Sequence, residues 1–312
     1  MKIYKNLKIK KSHKNSVIAI GNFDGIHLGH QKVINQAKKK AKIYNMPFGL
    51  ITFEPMPVMF FNQKVRNHRI NSLNQKILQL KKMELDFMII IKFNRLFSFL
   101  SPYQFIRKII FKKANSKCIF VSKNFKFGKN RRGDVRLLKR YGSNYGYQLL
   151  NIKPFKHFKK VVSSTKIRKY LMRGEVELAN RLLSRTWFIQ GKVIAGRKIG
   201  RKLGYRTCNI NVKDYILPKV GIYIVKVAIN LKTKIYGGVA YLGSRPTFNG
   251  KNIFLEINIF GINENLYNKK LKVYFLKFLR GDRKFSSSNQ LIRQMNKDVI
   301  FAKKGLKAKL VL

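Results

Sequence analysis

Acidic side chains are scarce in this chain. Across 312 residues there are 12 Asp and Glu against 68 Lys and Arg, a formal net charge of +56. Such an imbalance ordinarily signals nucleic acid or an anionic membrane surface as a partner. Here, however, the lysines are spread through every segment, and Asn, Ile, Phe and Tyr abound beside them, the mix that a very AT-rich genome encodes. On that second reading the charge needs no dedicated partner, so specific nucleic-acid recognition is not expected. Non-specific RNA binding at low salt follows on either reading. Cysteine is almost absent: Cys118 and Cys208 stand far apart, which excludes a disulfide framework and zinc-ligand spacing and suits a reducing cytosol. Long apolar runs are missing too. None approaches the roughly 18–20 residues that span a bilayer. The apolar stretch behind the basic N-terminus, Val17-Ile18-Ala19-Ile20, is too short for a signal peptide. A cytoplasmic protein without membrane association is expected. No internal repeat or low-complexity linker breaks the chain.

What is present is enough length for about two domains, each able to bury a core, with an ordinary hydrophobic content of 45%. From residue 17 to about 183, short apolar runs (17–20, 48–53, 87–91, 118–121 and 148–152) alternate with stretches of helical spacing near 30–44, 71–83, 102–113 and 134–141. This rhythm predicts an α/β domain with a mostly parallel sheet. Two short helices follow, near 166–173 and 176–183. After Trp187 the runs at 187–194, 222–229, 235–242, 253–260 and 271–278 are β-branched and aromatic, parted by Gly, Pro and Asn. They predict a small antiparallel barrel, closed by one terminal helix carrying Leu291, Ile292, Met295, Val299 and Ala302. The change of pattern divides the chain into 1–184 and 185–312.

The most informative stretch is Gly21-Asn22-Phe23-Asp24-Gly25-Ile26-His27-Leu28-Gly29-His30. It joins a buried strand to a helix in which Val33, Ile34, Ala37, Ala41 and Tyr44 recur. Histidines three apart at a helix start share one face, and the free N–H groups and helix dipole there attract anions. Such a strand, glycine-rich turn and histidine pair suit a nucleotide triphosphate. Nucleotidyl transfer needs the triphosphate held by oriented donors as charge builds at phosphorus, and His27 and His30 can supply them. A second anion site is Ser163-Ser164-Thr165-Lys166-Ile167-Arg168, in which Thr165 is expected to cap the helix near 166–173. The alternative is a plain cap in a basic protein. Glu54-Pro55-Met56-Pro57 and Asn124-Phe125-Lys126-Phe127-Gly128 are further candidate pocket loops.

In the second half, the stretch from Gly191 to Asn209 is glycine-rich and basic, with Gly196, Gly200 and Gly204 at regular intervals. It either folds over phosphates or is a β-turn region. Thr207 and Asn209 lie two apart, on one side of an extended strand. Their oxygens suit Mg²⁺ when nucleotide phosphates complete the shell, or they are ordinary strand polar residues. Glu256 is a carboxylate inside the otherwise apolar Phe254–Ile259. It is a general base, a solvent-facing residue or the partner of a lysine.

These motifs, in this order, resemble the bifunctional bacterial riboflavin kinase/FAD synthetase family almost end to end. The resemblance rests on the Gly21–His30 loop, Thr52–Pro57, Asn124–Gly128, Ser163–Arg168, Gly200–Asn209, Gly221–Tyr223, Gly238–Phe248, Leu255-Glu256 and Phe278–Phe285. It implies a Rossmann-like nucleotidyltransferase domain of the HxGH type, then a small antiparallel β-barrel riboflavin-kinase domain with a C-terminal helix. The barrel would phosphorylate riboflavin from ATP with Mg²⁺, with Glu256 as the base and Thr207 and Asn209 near the metal. The α/β domain would then transfer AMP from ATP to FMN, releasing pyrophosphate and FAD. His27, His30, Ser163, Ser164, Thr165 and Arg168 would hold the triphosphate beside the Gly21–Gly25 turn, and Asn124 would face the flavin phosphate or nucleotide. Gly196, Gly200, Gly204 and Arg280 would lie in the kinase's binding loops. The chain departs from the family pattern at Met56 (usually His), Ser122-Lys123 (usually Gly and an acidic residue), Arg206 (usually Pro), Cys208 (usually Ala) and Asp282 (usually Glu). Arg206 lacks the fixed φ of proline, and with these departures both steps are expected to be slower or less stable than is typical of the family. Two other readings are a single-activity HxGH nucleotidyltransferase, which leaves the barrel unexplained, and a basic RNA-binding protein on a decayed scaffold, which predicts clustered arginines and exposed aromatics.

Overall fold

The computed structural model describes residues 1–62, 68–158, 160–195, 204–213, 215–230, 234–247 and 250–308. Gly196 and Gly200 therefore lie outside the described residues. The chain forms two compact units, one of residues 1–66 and 71–164, the other of 67–70 and 165–312.

In the first unit the β-branched runs become six strands: β1 (Lys2–Tyr4), β2 (Ser16–Ile20), β3 (Phe48–Glu54), β4 (Phe87–Lys92), β5 (Ser116–Ser122) and β6 (Gln148–Ile152). They pair in the order β1-β4-β3-β2-β5-β6, every pair parallel. Alternate residues point to opposite faces, and both faces are covered. Ile18, Ile20, Ile51, Ile89 and Val121 enter one core, while Val17, Ala19, Leu50, Met88 and Phe120 enter the other. Continuous apolar strands are what a parallel sheet buried on two sides requires. Gly49 faces Phe87 in register, and a Cβ there would lie 2.2 Å from the Phe87 ring.

The helices Leu28–Ile43, Leu73–Lys81 and Val135–Tyr145 stand where helical spacing predicts them. The expected helix at 102–113 differs. A short turn, Pro102–Gln104, runs into a π-helix, Phe105–Ala114. Its buried positions are Phe105, Ile106, Ile109, Ile110 and Ala114; the pairs 105/110 and 109/114 lie five apart, the spacing of the wider π turn.

The expected threonine cap is also corrected. The helix begins at Ser164 and runs to Met172, so Thr165 sits inside its first turn. It is the Ser164 hydroxyl that is engaged, donating to the Asp24 carbonyl at 2.8 Å.

In the second unit, Arg173-Gly174 parts the helix ending at Met172 from Val176–Leu183. Six antiparallel strands then close a barrel in the order β10-β13-β12-β11-β14-β9. They follow a two-stranded ribbon, β7 (Lys156–His157) with β8 (Lys160–Val161), of the first unit, and are β9 (Phe188–Ile194), β10 (Cys208–Asn211), β11 (Gly221–Ile229), β12 (Ile235–Thr247), β13 (Gly250–Ile259) and β14 (Lys270–Arg280). The C-terminal helix, Ser288–Ala308, is longer than its apolar stripe suggests and packs Ala302 and Leu306 on Ile224. The segment 67–70 is stitched into this unit by its carbonyls. His68 accepts from Arg168 Nε at 2.8 Å, Arg69 from the Ile216 N–H at 2.6 Å and Ile70 from the buried Trp187 Nε1 at 2.7 Å.

Candidate active sites

At the C-terminal end of β2 the chain turns through Gly21–Gly25 into the helix at Leu28. His27 is the N-cap: its Nδ1 accepts from the His30 N–H at 3.3 Å. A neutral imidazole that accepts at Nδ1 carries its proton on Nε2. The two histidine rings stack, centroids 3.7 Å apart and planes 17° apart. Gly29 leaves them room, because a Cβ there would lie 3.2 Å from the His27 ring. Phe23 closes on His30 from the edge at 5.2 Å.

Beyond the turn opens a cavity of about 720 Å³. Gly21, Asn22, His30, Asn124 and Ser164 supply its polar wall, and Phe53, Phe93, Phe97 and Phe125 are among its aromatic lining. Polar groups able to hold phosphates and aromatic rings able to stack on planar rings thus line one space. Asp24, by contrast, is buried with its carboxylate accepting from the Asn71 N–H at 3.4 Å, so it fixes the turn from behind. Ser163 precedes the helix that Ser164 opens. Thr165 and Arg168 fall in the second unit.

In the barrel, Glu256 on β13 is in register with Asn209 on β10 and Tyr241 on β12. Thr207 Oγ1 donates to Glu256 Oε1 at 2.6 Å. Two cavities meet at Thr207. One, of about 330 Å³, is lined by Tyr241, Glu256, Arg280, Asp282 and Phe285 among others. The other, of about 290 Å³, takes in Arg206, Cys208, Asn263 and Tyr267. Asn209 is buried, and its Oδ1 has no hydrogen-bond partner among the described residues. A desolvated carbonyl oxygen of this kind is costly unless something meets it, and it fits a hard cation. No three His, Cys, Asp or Glu side chains converge as a metal site among the described residues.

Burial and the neighbouring Glu256 charge push the Cys208 thiol up to about 12. Arg280 is spent on Asp298: its Nε and Nη2 donate to the carboxylate at 2.7 to 3.1 Å, and its Nη1 to the Gly281 carbonyl at 3.1 Å. Gly204 has a φ of +83° with no neighbour where a Cβ would stand.

A family model described as FAD synthetase matches residues 9–166, and one described as riboflavin kinase matches residues 183–306. The bifunctional riboflavin kinase/FMN adenylyltransferase of Buchnera aphidicola subsp. Schizaphis graminum is 39% identical, over 97% of this chain and 98% of its own length. The chain belongs to the bifunctional riboflavin kinase/FMN adenylyltransferase family. The Escherichia coli K12 member is 31% identical, over 92% of this chain and 91% of that one. A solved structure from Streptococcus pneumoniae, described as a macrolide-efflux protein, matches 96% of this chain and 98% of its own at a TM-score of 0.86 and 29% identity. No described helix is long and apolar enough to cross a membrane.

Within the family frame, several departures have visible replacements. Arg206 is held at both ends: its Nη1 donates to the Asn263 carbonyl at 2.7 Å, and its own carbonyl accepts from Asn258 Nδ2 at 2.8 Å. Two hydrogen bonds thus fasten the turn that proline would stiffen. Met56 is buried at the start of the short helix Pro57–Phe61, filling space with an apolar chain. Asp282 accepts from the Tyr241 hydroxyl at 3.0 Å. Sequence reasoning missed Lys76, which is only 3% exposed and whose Nζ donates to the Asn22 carbonyl at 2.8 Å. Its signal was available: it lies within the stripe Leu73, Ile77, Leu80 of an amphipathic helix, where a cation has no place without a partner.

Proposed function

We propose that the second unit phosphorylates riboflavin to FMN and that the first unit adenylylates FMN to FAD, each from ATP. The observation that carries the reading is the Thr207–Glu256 hydrogen bond at the meeting of two cavities. One cavity suits the flavin and the other the nucleotide, so the terminal ribityl hydroxyl and the γ-phosphate would meet beside the carboxylate. Glu256 takes the hydroxyl proton as the oxygen attacks the γ-phosphorus of ATP, whose bond to the bridging oxygen breaks so that ADP leaves. Thr207, by donating to one carboxylate oxygen, orients the group beside the cavity in which the hydroxyl would lie. Asn209 Oδ1 and Thr207 would hold Mg²⁺ together with the phosphates. The ion would supply charge neutralisation on the transferring group.

In the first unit, the Nε2–H of His27 and the ring of His30, at a helix N-terminus, donate to the triphosphate as charge builds on its α-phosphate. Ser164, bonded to the Asp24 carbonyl, flanks the same turn, and Ser163, next to it in the chain, is proposed as a further phosphate contact. Asn124 faces the flavin phosphate, with Phe53, Phe93, Phe97 and Phe125 around the rings. Arg280 acts through Asp298, placing the late loop. A reducing cytoplasm is the proposed setting, a reading supported by the two free cysteines.

The test is to incubate the protein with riboflavin, ATP and Mg²⁺, in parallel with FMN in place of riboflavin, and to separate the flavins. FAD in both tubes is expected. FAD from FMN alone would remove the kinase step, and no product from folded protein would overturn the reading.

A further inference from the structure

The Gly21–Gly25 turn is strained and cannot hold itself. Phe23 has a φ of +48° and Ile26 of +41°, beside Gly25 at +86°. A β-branched residue in that region is an outlier, and such conformations persist only where the surroundings over-determine them. Three fastenings come from the first unit: the Ser164 hydroxyl to the Asp24 carbonyl, the Asn71 N–H to the Asp24 carboxylate and the Gln31 side chain to the Ile26 carbonyl at 2.9 Å. The fourth carries a charge. Lys76 Nζ reaches the Asn22 carbonyl at 2.8 Å, and the Thr52 hydroxyl, itself 3.4 Å from Nζ, donates to the same oxygen at 3.1 Å. Thr52 is wholly buried, as Lys76 almost is.

Placing an ammonium group there has a cost in desolvation that a neutral donor would avoid. In a trans peptide the N–H points opposite to the C=O. Drawing the Asn22 carbonyl inward therefore turns the Phe23 N–H outward, and Asn22 and Phe23 line the large cavity. We propose that Lys76 is the positioning residue of adenylyl transfer: from beneath, it fixes the Asn22–Phe23 peptide so that its N–H is presented to the triphosphate. Its charge also lies one peptide away from where phosphate oxygens sit. The inference rests on the adenylyl-transfer reading.

The test compares K76M with the wild type in two assays on the same preparation, FMN to FAD and riboflavin to FMN. The kinase assay, run in the barrel unit, reports on intact protein. The expected result is a rise of about tenfold to a hundredfold in KM for ATP in FAD formation, the range that loss of one charge-assisted hydrogen bond produces. KM for FMN and the kinase rate are expected to stay within about twofold. A merely structural role would reduce the amount of active enzyme, lowering apparent kcat with both KM values unchanged, and that result overturns the proposal. T52V, which removes only the neutral donor, should shift KM for ATP in the same direction by a smaller factor. If K76M does not fold, T52V decides: an unchanged KM for ATP in that variant overturns the proposal. Absence of FAD formation by the wild type would overturn the adenylyl-transfer reading itself and this inference with it, an outcome distinct from a wild type that works beside a K76M that matches it.

Discussion

Glu256 and Cys208 sit on neighbouring strands of one barrel wall, β13 and β10, and meet opposite fates. The carboxylate is half-buried and takes the Thr207 hydrogen bond at 2.6 Å, an arrangement that suits a base. E256Q keeps the shape and removes the base, so the kinase rate should fall by roughly 10²–10⁴-fold, while FAD formation from FMN continues in the other unit. Flavin chromatography from the two substrates checks both halves of that statement. Cys208 lies beside this negative charge, and burial with that charge pushes its thiol up to about 12. Cys118 is pushed up to about 11 by burial alone as the main cause. Raised values keep both thiols protonated at pH 8, and the thiolate is the reactive form. Native protein should therefore react with a thiol-specific chromophore far more slowly than free cysteine, and two equivalents should react at once after unfolding. Rapid reaction of either thiol in the folded chain would contradict this account.

At the scale of elements, the end of β14 is tied to the C-terminal helix by an ion pair. Arg280 and Asp298 are 13% and 6% exposed and 2.7 Å apart at the closest atoms, and Gln294 Nε2 donates to the same carboxylate at 2.9 Å. D298A would leave a buried guanidinium without its counter-charge. Breaking such a pair costs about 3–5 kcal/mol, so the barrel unit should unfold at lower urea in D298A and the helix Ser288–Ala308 should lose protection in hydrogen exchange. The first unit is expected to keep its midpoint. How much of this was legible in the sequence follows from the range of each interaction. The strands and the histidine turn were readable because their signal is local: short apolar runs rich in β-branched residues, and a glycine turn that ends in a helix. The π-helix Phe105–Ala114 was not, since spacings of three to four and of four to five overlap over so short a run. The threonine cap failed for a related reason. Three consecutive hydroxyl residues are equivalent by propensity, and the helix starts at Ser164, which leaves Thr165 inside its first turn. Arg206 is the sharpest instance. Its loss of proline stiffness was evident, whereas its fastening by Asn258 and Asn263, 52 and 57 positions away, appears only when the barrel closes.

Across the whole molecule the charge of +56 acts on both units at once. Like charges spread over a compact body repel, and salt screens them, the Debye length shrinking from about 30 Å at 0.01 M to about 8 Å at 0.15 M. The thermal midpoint should therefore rise as salt is added over that range, the reverse of a protein held by surface ion pairs. Retention on an immobilised polyanion should fall steeply over the same range without sequence preference. A midpoint that falls with salt would mean that specific surface pairs, such as Lys269 with Glu264, outweigh the general repulsion.

Residues 67–70 leave the ribosome with the first unit but belong to the second. The side chains that their carbonyls await, on Arg168 and Trp187, emerge 100 and 117 positions later. At about 5–20 residues per second that is a delay on the order of ten seconds, during which the parallel sheet can form around a segment still waiting for its partners. The order of translation thus imposes a sequence on assembly, with the barrel completing last. It also means that no single cut yields two self-sufficient halves. A fragment ending anywhere between Ile70 and Trp187 carries the Ile70 carbonyl away from the only indole in the chain, and the fluorescence of that indole would record, in real time, when the two ends of the stitch meet.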